Sequence, residues 1–393
     1  MDLPRAATAP MKNASKPANR MTNAPTVMLG QATETIPMAT ANSPRIVLHV
    51  GAPKTASTYL QRRLRADPSH LRKHGIYLPV LPVVAEMAGN AKLLATALSR
   101  RPSLTFQRAF PQIDVSALDP ARLVTELLQD WRPDSESVVL SAENFRPNHA
   151  RRLRDLLPKT VPCVVVLFVR RQDRWIDSYF NQMVKVNEIH EDISTFVARL
   201  CDTDGERLCR PDWFAHYEAW RAAFGNCKIV FYDEAASDVF GAFIAAAGLE
   251  TIPDLIDIDR AQVSLNVYEL AYLLDLKTPI DYSDFLRRRA ASEKASRRLR
   301  LRETRSLLSD ADLARLRNRF EASNHRLMAA FRRPETASPL RLDINTESGS
   351  YCDLHQLYAS QPYLCFRKLA DAIYARRNWR DRFRSLFKSG ARR

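Results

Sequence analysis

The sequence predicts an α/β fold in which helices flank a parallel β-sheet and a helical part forms the C-terminal region. Four short apolar runs rich in β-branched residues have the length of buried strands, at residues 45–50, 137–145, 161–170 and 227–233. Stretches with helical spacing follow three of these runs, and strands that alternate with helices indicate a parallel sheet covered on both faces. From about residue 260 onward the apolar pattern is helical, apart from a loop at residues 334–350.

The chain is predicted to form one large α/β unit with additions at both ends. Residues 1–44 lack steady periodicity and read as a disordered leader, although a wrongly assigned start codon would explain them equally well. We assign the α/β core to residues 45–260, a helical extension of the same domain to residues 261–335, and a loop with a basic C-terminal helix to residues 336–393.

The composition indicates an anionic partner. Net charge is +15 and the isoelectric point is about 9.8, which suits a nucleotide, an acidic glycan or an anionic membrane surface. We expect no nucleic acid partner. Six cysteines without a Cys-x-x-Cys pair argue against a zinc site, and the sequence offers no His/Asp/Glu set for another metal. No apolar stretch has the length of a membrane span. We expect a cytoplasmic protein whose cysteines are kept reduced by that compartment.

Two basic segments leave alternatives open. The helix predicted at residues 285–305 either lines a site for an acidic polysaccharide or is a solvated face. The C-terminal helix carries four apolar residues beside its basic face, namely Trp379, Phe383, Leu386 and Phe387. It either contacts the inner face of an anionic membrane or docks on the core.

The first motif joins the first predicted strand to the following helix. A turn with a lysine between a strand and a helix can hold a phosphate, because backbone N–H groups and the positive end of the helix dipole face the anion. Lys54 adds a full charge, and Ser57 or Thr58 is expected to cap the helix. The candidate ligand-binding residues are Gly51, Ala52, Pro53, Lys54, Thr55, Ala56, Ser57 and Thr58. A Walker A loop ends in Gly-Lys-Ser/Thr, whereas proline precedes the lysine of this turn, so a Walker A loop is excluded.

The second motif follows the third predicted strand. Arg170 ends the strand and Ser178 lies eight residues later, inside the next helix. Both side chains can converge on one oxyanion beside the carboxyl edge of the sheet, where open α/β folds bind their ligands. An ordinary basic helix start is the alternative interpretation.

These two motifs, in this order, resemble the sulfotransferase family. Pro-Lys-Thr-Ala-Ser-Thr resembles that family's 5′-phosphosulfate loop, which usually reads Pro-Lys-Thr-Gly-Thr/Ser-Thr, and the pair Arg170 and Ser178 resembles its 3′-phosphate site. Arg170-Arg-Gln-Asp is similar to a bacterial branch related to carbohydrate sulfotransferases. The resemblance implies a P-loop-like sulfotransferase fold and the co-substrate 3′-phosphoadenosine 5′-phosphosulfate (PAPS). Ala56 departs from the usual glycine, and its methyl group is expected to narrow the approach of the donor.

The sequence offers two candidate bases for deprotonating an alcohol acceptor, which the resemblance suggests is a carbohydrate. Glu143 lies at the carboxyl end of a predicted strand, and its alternative role is to cap a helix or pair with an arginine. His49 lies within the first strand, where a core histidine is the alternative. Two other functions stay open, namely a nucleotide-dependent kinase or hydrolase and a non-catalytic polyanion-binding protein.

Overall fold

The protein contains a five-stranded parallel sheet in the order β2-β3-β1-β4-β5, with β1 at its centre. The strands are β1 (Ile46–Val50), β2 (Ile76–Tyr77), β3 (Ser137–Ala142), β4 (Cys163–Val169) and β5 (Cys227–Phe231). The computed structural model describes residues 43–82, 89–202, 210–249, 252, 256, 258, 264–276, 280–302, 306–332, 338–342 and 351–390, with side chains as far as residue 376. The predicted leader, except residues 43 and 44, lies outside these ranges.

Helices surround the sheet and form the C-terminal region, which confirms the predicted fold class. Those that follow β1 and β2 are α1 (Ser57–Ala66), α2 (Pro68–Lys73), α3 (Lys92–Ser99), α4 (Leu104–Ala109) and α5 (Pro120–Leu128). The next are α6 (Ala150–Leu156), α7 (Gln172–Lys185), α8 (Ile193–Asp202), α9 (Trp213–Phe224), α10 (Tyr232–Ala235) and α11 (Val239–Ala247). The C-terminal region contains α12 (Val267–Asp275), α13 (Tyr282–Leu299), α14 (Asp310–Ala330), α15 (Leu354–Ala359) and α16 (Gln361–Gly390).

The central strand is buried on both faces, which explains its continuous apolar run. Ile46, Leu48 and Val50 belong to the larger core, which also contains apolar residues of α3, α5, α7, α9 and the C-terminal helices. Val47 points to the opposite face, where it shares a second core with residues of α1, α2 and α11.

The C-terminal helices contact the α/β core directly. Gln172, at the start of α7, donates from Nε2 to Asn324 Oδ1 in α14 at 2.7 Å, and Asn324 returns a bond from Nδ2 at 3.1 Å. Both side chains are buried, so the paired amides satisfy each other without water. The basic helix predicted at residues 285–305 is α13, which begins at Tyr282 and ends at Leu299. The side chains proposed to contact a membrane lie outside the described part of α16.

The segments that follow β1, β3, β4 and β5 all lie at one edge of the sheet, because the strands are parallel. The segment after β1 is the first motif, Glu143 follows β3, Arg170 follows β4, and Tyr232 follows β5. Because the carboxyl ends of parallel strands meet at the same edge, residues far apart in sequence become neighbours there.

Candidate functional site

A cleft of about 520 Å³ opens at the carboxyl edge of the sheet. It is lined by eight of the residues proposed from the sequence, namely Pro53, Lys54, Ala56, Ser57, Thr58, Glu143, Arg170 and Ser178. Gly51, Ala52, Thr55 and His49 were also proposed, and they are not among the lining residues. The cleft therefore brings together both sequence motifs and one of the two candidate bases.

The loop between β1 and α1 turns through two residues in the left-handed region. Lys54 has φ 69° and Ala56 has φ 60°, a conformation that favours glycine and disfavours residues with a Cβ atom. The Thr55 hydroxyl is turned inward and donates to the Ala52 carbonyl at 2.8 Å. At Gly51, a Cβ atom would lie 3.0 Å from His49 Nε2, so glycine permits this close packing.

The predicted side-chain cap of α1 is wrong. The residue before the helix is Ala56, and no side chain caps its first turn. The Ser57 hydroxyl instead donates to Glu143 Oε2 at 2.9 Å, across the cleft edge. The first turn of α1 still faces the cleft through Ser57, Thr58 and Tyr59, with the positive end of the helix dipole behind it.

Two tryptophans fix the backbone of the two motifs. Trp175 Nε1 donates to the Pro53 carbonyl at 2.7 Å, and Trp213 Nε1 donates to the Arg170 carbonyl at 2.7 Å. Their rings meet edge to face with centroids 5.8 Å apart, and both side chains are fully buried. The loop and the end of β4 are thus held by one aromatic pair.

Arg170 lies directly beside the lysine loop. Its Nη1 donates to the Lys54 carbonyl at 3.3 Å, and its Nε lies 3.6 Å from Asp233 Oδ1. The guanidinium also lies over the Tyr232 ring, 5.0 Å from the centroid. These contacts orient the planar group, which can bind two oxygens of a phosphate at once. Ser178, two turns along α7, lines the same cleft.

Glu143 is held between two donors. Besides the bond from Ser57, its Oε1 lies 3.3 Å from Lys92 Nζ, at the first residue of α3. Burial alone would raise the pKa of Glu143, but Lys92, the Ser57 hydroxyl and Lys54 together hold it below its usual value. Burial lowers the pKa of Lys54, although Glu143 opposes that change. The carboxylate is therefore ionised near neutral pH.

His49 lies inside the sheet. Its Nδ1 is 2.8 Å from Ser141 Oγ, which also accepts a bond from Gln61 Nε2 at 3.0 Å. Its ring packs edge to face against Phe168 and Phe243. Burial lowers the pKa of His49 to about 4, so the imidazole is neutral at physiological pH. This placement matches the core histidine that was the alternative interpretation.

Sequence reasoning missed three residues that shape the cleft. Asp233 is the second residue after β5, so its position near a strand end was an available signal. Trp175 lies within the second motif, but nothing in the motif shows which carbonyl its indole binds. Lys92 lies in no motif, and its contact with Glu143 joins residues 51 apart in sequence. Within the described ranges, no group of three or more His, Cys, Asp or Glu residues could hold a metal ion.

Comparison with known proteins gives distant structural similarity. No family model matches the chain, and no curated protein matches it. A crystal structure of a sulfotransferase from Alicyclobacillus acidocaldarius is similar with a TM-score of 0.43 and 14% sequence identity, over 75% of this chain and 98% of that chain. In the described part of this chain, no helix is both long and apolar enough to cross a membrane.

Proposed function

We propose that the protein transfers a sulfuryl group from PAPS to an alcohol, and that this alcohol belongs to a carbohydrate. The observation that carries this proposal is the hydrogen bond from Arg170 to the Lys54 carbonyl. This bond joins the two cationic motifs at one cleft, which is also lined by the ionised Glu143. Two anion-binding groups beside one carboxylate suit a donor with two phosphates and an acceptor that must lose a proton.

Each group then has a defined role. Lys54 and the first turn of α1 bind the phosphosulfate and stabilise the charge that develops on the leaving phosphate. Arg170 and Ser178 bind the 3′-phosphate. The acceptor oxygen bonds to sulfur while the bond between sulfur and the bridging oxygen breaks, and its electron pair stays on the nucleotide. Glu143 receives the acceptor's proton.

The position of Glu143 argues against a site that only binds polyanions. An ionised carboxylate between Lys54 and Lys92 offsets part of their charge, which weakens binding of any anion. Such a residue is useful only if it acts on a bound molecule or pairs for structure. The early lysine in the loop, without Gly-Lys-Ser/Thr, argues against a nucleoside triphosphate kinase or hydrolase.

The remainder of the cleft suits a hydroxylated acceptor. Thr96, Ser99, Asn144 and Gln182 line it with short polar side chains, beside the aromatic rings of Phe145 and Tyr179. Arg101 and Arg146 line it as well, and their charge extends the proposal to acidic glycans.

Transfer of label from radiolabelled PAPS to a panel of glycans and simple alcohols tests the proposal. Lys54→Ala is expected to abolish transfer without unfolding the protein. Lys159→Ala is the matched control, because Lys159 lies on the exposed surface, where its Nζ is 3.2 Å from Asp155 Oδ1. Transfer at the wild-type rate by Lys54→Ala, or a strict need for magnesium and a nucleoside triphosphate, would contradict the proposal.

A further inference from the structure

Ser57 has one hydroxyl proton to donate, and an anion bound at the loop would be a second acceptor for it beside Glu143. Ser57 begins α1, where the loop and the helix dipole attract an anion, and in the structure it donates to Glu143. A hydroxyl donates one hydrogen bond at a time. An anion bound at the loop and the carboxylate of Glu143 therefore compete for the same proton.

Lys92 holds the same carboxylate from the other side. Its ammonium lies 3.3 Å from Oε1, whereas Ser57 donates to Oε2. Lys92 begins α3 and Ser57 begins α1, so the two contacts come from separate elements. Loss of the Ser57 bond would leave the carboxylate anchored by Lys92 alone.

Resting on the proposed function, we propose that donor binding draws the Ser57 hydroxyl away from Glu143 and so activates Glu143 as a base, while Lys92 is the positioning residue that keeps the carboxylate in place. The acceptor can then lose its proton efficiently only when the sulfuryl donor is already bound. Glu143 therefore stays a weak base until the sulfuryl donor is bound.

The surroundings of Glu143 support this order. Lys54 from the loop, Lys92 from α3 and the Ser57 hydroxyl all favour its ionised form, and together they outweigh its burial. His49 from β1 is neutral near physiological pH and adds no charge. A carboxylate with a lowered pKa is a weak base, and general base catalysis improves as the pKa rises toward the working pH. Loss of the Ser57 bond and the nearby negative charge of the donor both act in that direction.

Proton uptake during binding of adenosine 3′,5′-bisphosphate tests the Ser57 switch. Isothermal calorimetry in buffers of different ionisation enthalpy, between about pH 5 and 7, counts the protons bound. The bisphosphate titrates in this range too, so Glu143→Gln serves as the reference. We expect the wild type to take up more protons than Glu143→Gln, and Ser57→Ala to lose part of that excess.

The outcomes distinguish failure of the Ser57 switch from failure of the proposed function. Binding with equal proton counts in wild type and Glu143→Gln would overturn the inference and leave the proposed function standing. An undiminished excess in Ser57→Ala would show that the hydroxyl is not the switch. A wild type that does not bind the bisphosphate would overturn both the inference and the proposed function.

The pH dependence of the maximal rate tests Lys92. Lys92→Met keeps most of the side-chain length but removes the charge, so the acid limb of the profile is expected to move up by about one pH unit. The maximal rate should nevertheless fall, because the carboxylate loses the contact that holds it in place, while the Michaelis constant for the donor changes little. Lys92→Arg should restore the profile, and Lys159→Met should leave it unchanged. An unshifted profile in folded Lys92→Met would remove Lys92 from this role.

Discussion

Replacing Ala56 with glycine is expected to leave the protein equally or more stable. Ala56 has φ 60° and ψ 19°, in the left-handed region where a Cβ atom crowds the following carbonyl oxygen. Glycine adopts this conformation without that strain. Ala322 provides the matched control, because it is exposed in the middle of the right-handed helix α14.

The expected size follows from three terms. Relief of the left-handed conformation favours the Ala56→Gly variant by about 1–2 kcal/mol. Greater freedom of the unfolded chain opposes it by about 0.4–1 kcal/mol. Loss of a half-buried methyl group opposes it by less than about 0.8 kcal/mol. At the midpoints of these ranges, the net change in unfolding free energy is about 0.4 kcal/mol in favour of glycine. Ala322→Gly should instead lose about 1 kcal/mol.

Urea unfolding of the two variants beside the wild type measures the difference. The midpoint of Ala56→Gly should equal or exceed that of the wild type, and the midpoint of Ala322→Gly should fall below it. Affinity of Ala56→Gly for adenosine 3′,5′-bisphosphate should rise, because the methyl group no longer narrows the loop. If both replacements destabilised the protein equally, position 56 would not adopt the left-handed conformation, and the loop geometry described above would be refuted.

Three further substitutions test two residues of the cleft and one carboxyl group in α7. Arg170→Ala should lose most of the preference for adenosine 3′,5′-bisphosphate over the 5′-monophosphate, and an unchanged preference would remove Arg170 from the site. Glu143→Gln should lower the maximal rate by about 10²–10⁴-fold without loss of donor affinity, and normal turnover beside a slow His49→Gln would move the base to His49. Burial raises the pKa of Asp177 from 3.8 to about 7, so the folded state favours its neutral form and loses stability as the pH rises between these values. Asp177→Asn should therefore stabilise the protein increasingly over this range, and a gain independent of pH would contradict the assignment.

The sheet and the candidate cleft could be predicted because local patterns specify them. The apolar runs of β1 and β4 are buried strands, and helices follow β1, β4 and β5 as the helical spacing predicts. Parallel strands then force Lys54, Glu143 and Arg170 to one edge, so strand ends alone could place them as neighbours.

The contacts within the cleft could not be predicted, because they depend on side-chain direction. A serine at the start of a helix most often caps it, but the left-handed Ala56 turns the chain so that Ser57 reaches Glu143. The approach of Lys92 depends on how α3 lies against β3, which no local pattern encodes. The assignment of residues 45–260 and 261–335 to one domain likewise stays a prediction.

The contacts that fix the two motifs use their main-chain carbonyl groups. Indole N–H groups bind the carbonyls of Pro53 and Arg170, and the Arg170 guanidinium binds the carbonyl of Lys54. A carbonyl oxygen facing an anion would repel it, so occupying these oxygens with donors removes a source of repulsion from the cleft. Lys54 and the first turn of α1 meanwhile line the cleft. Because one aromatic pair fixes the backbone of both motifs, the fold sets the separation of Lys54 and Arg170. The proposed function requires such a fixed separation to discriminate between ligands with one and two phosphates.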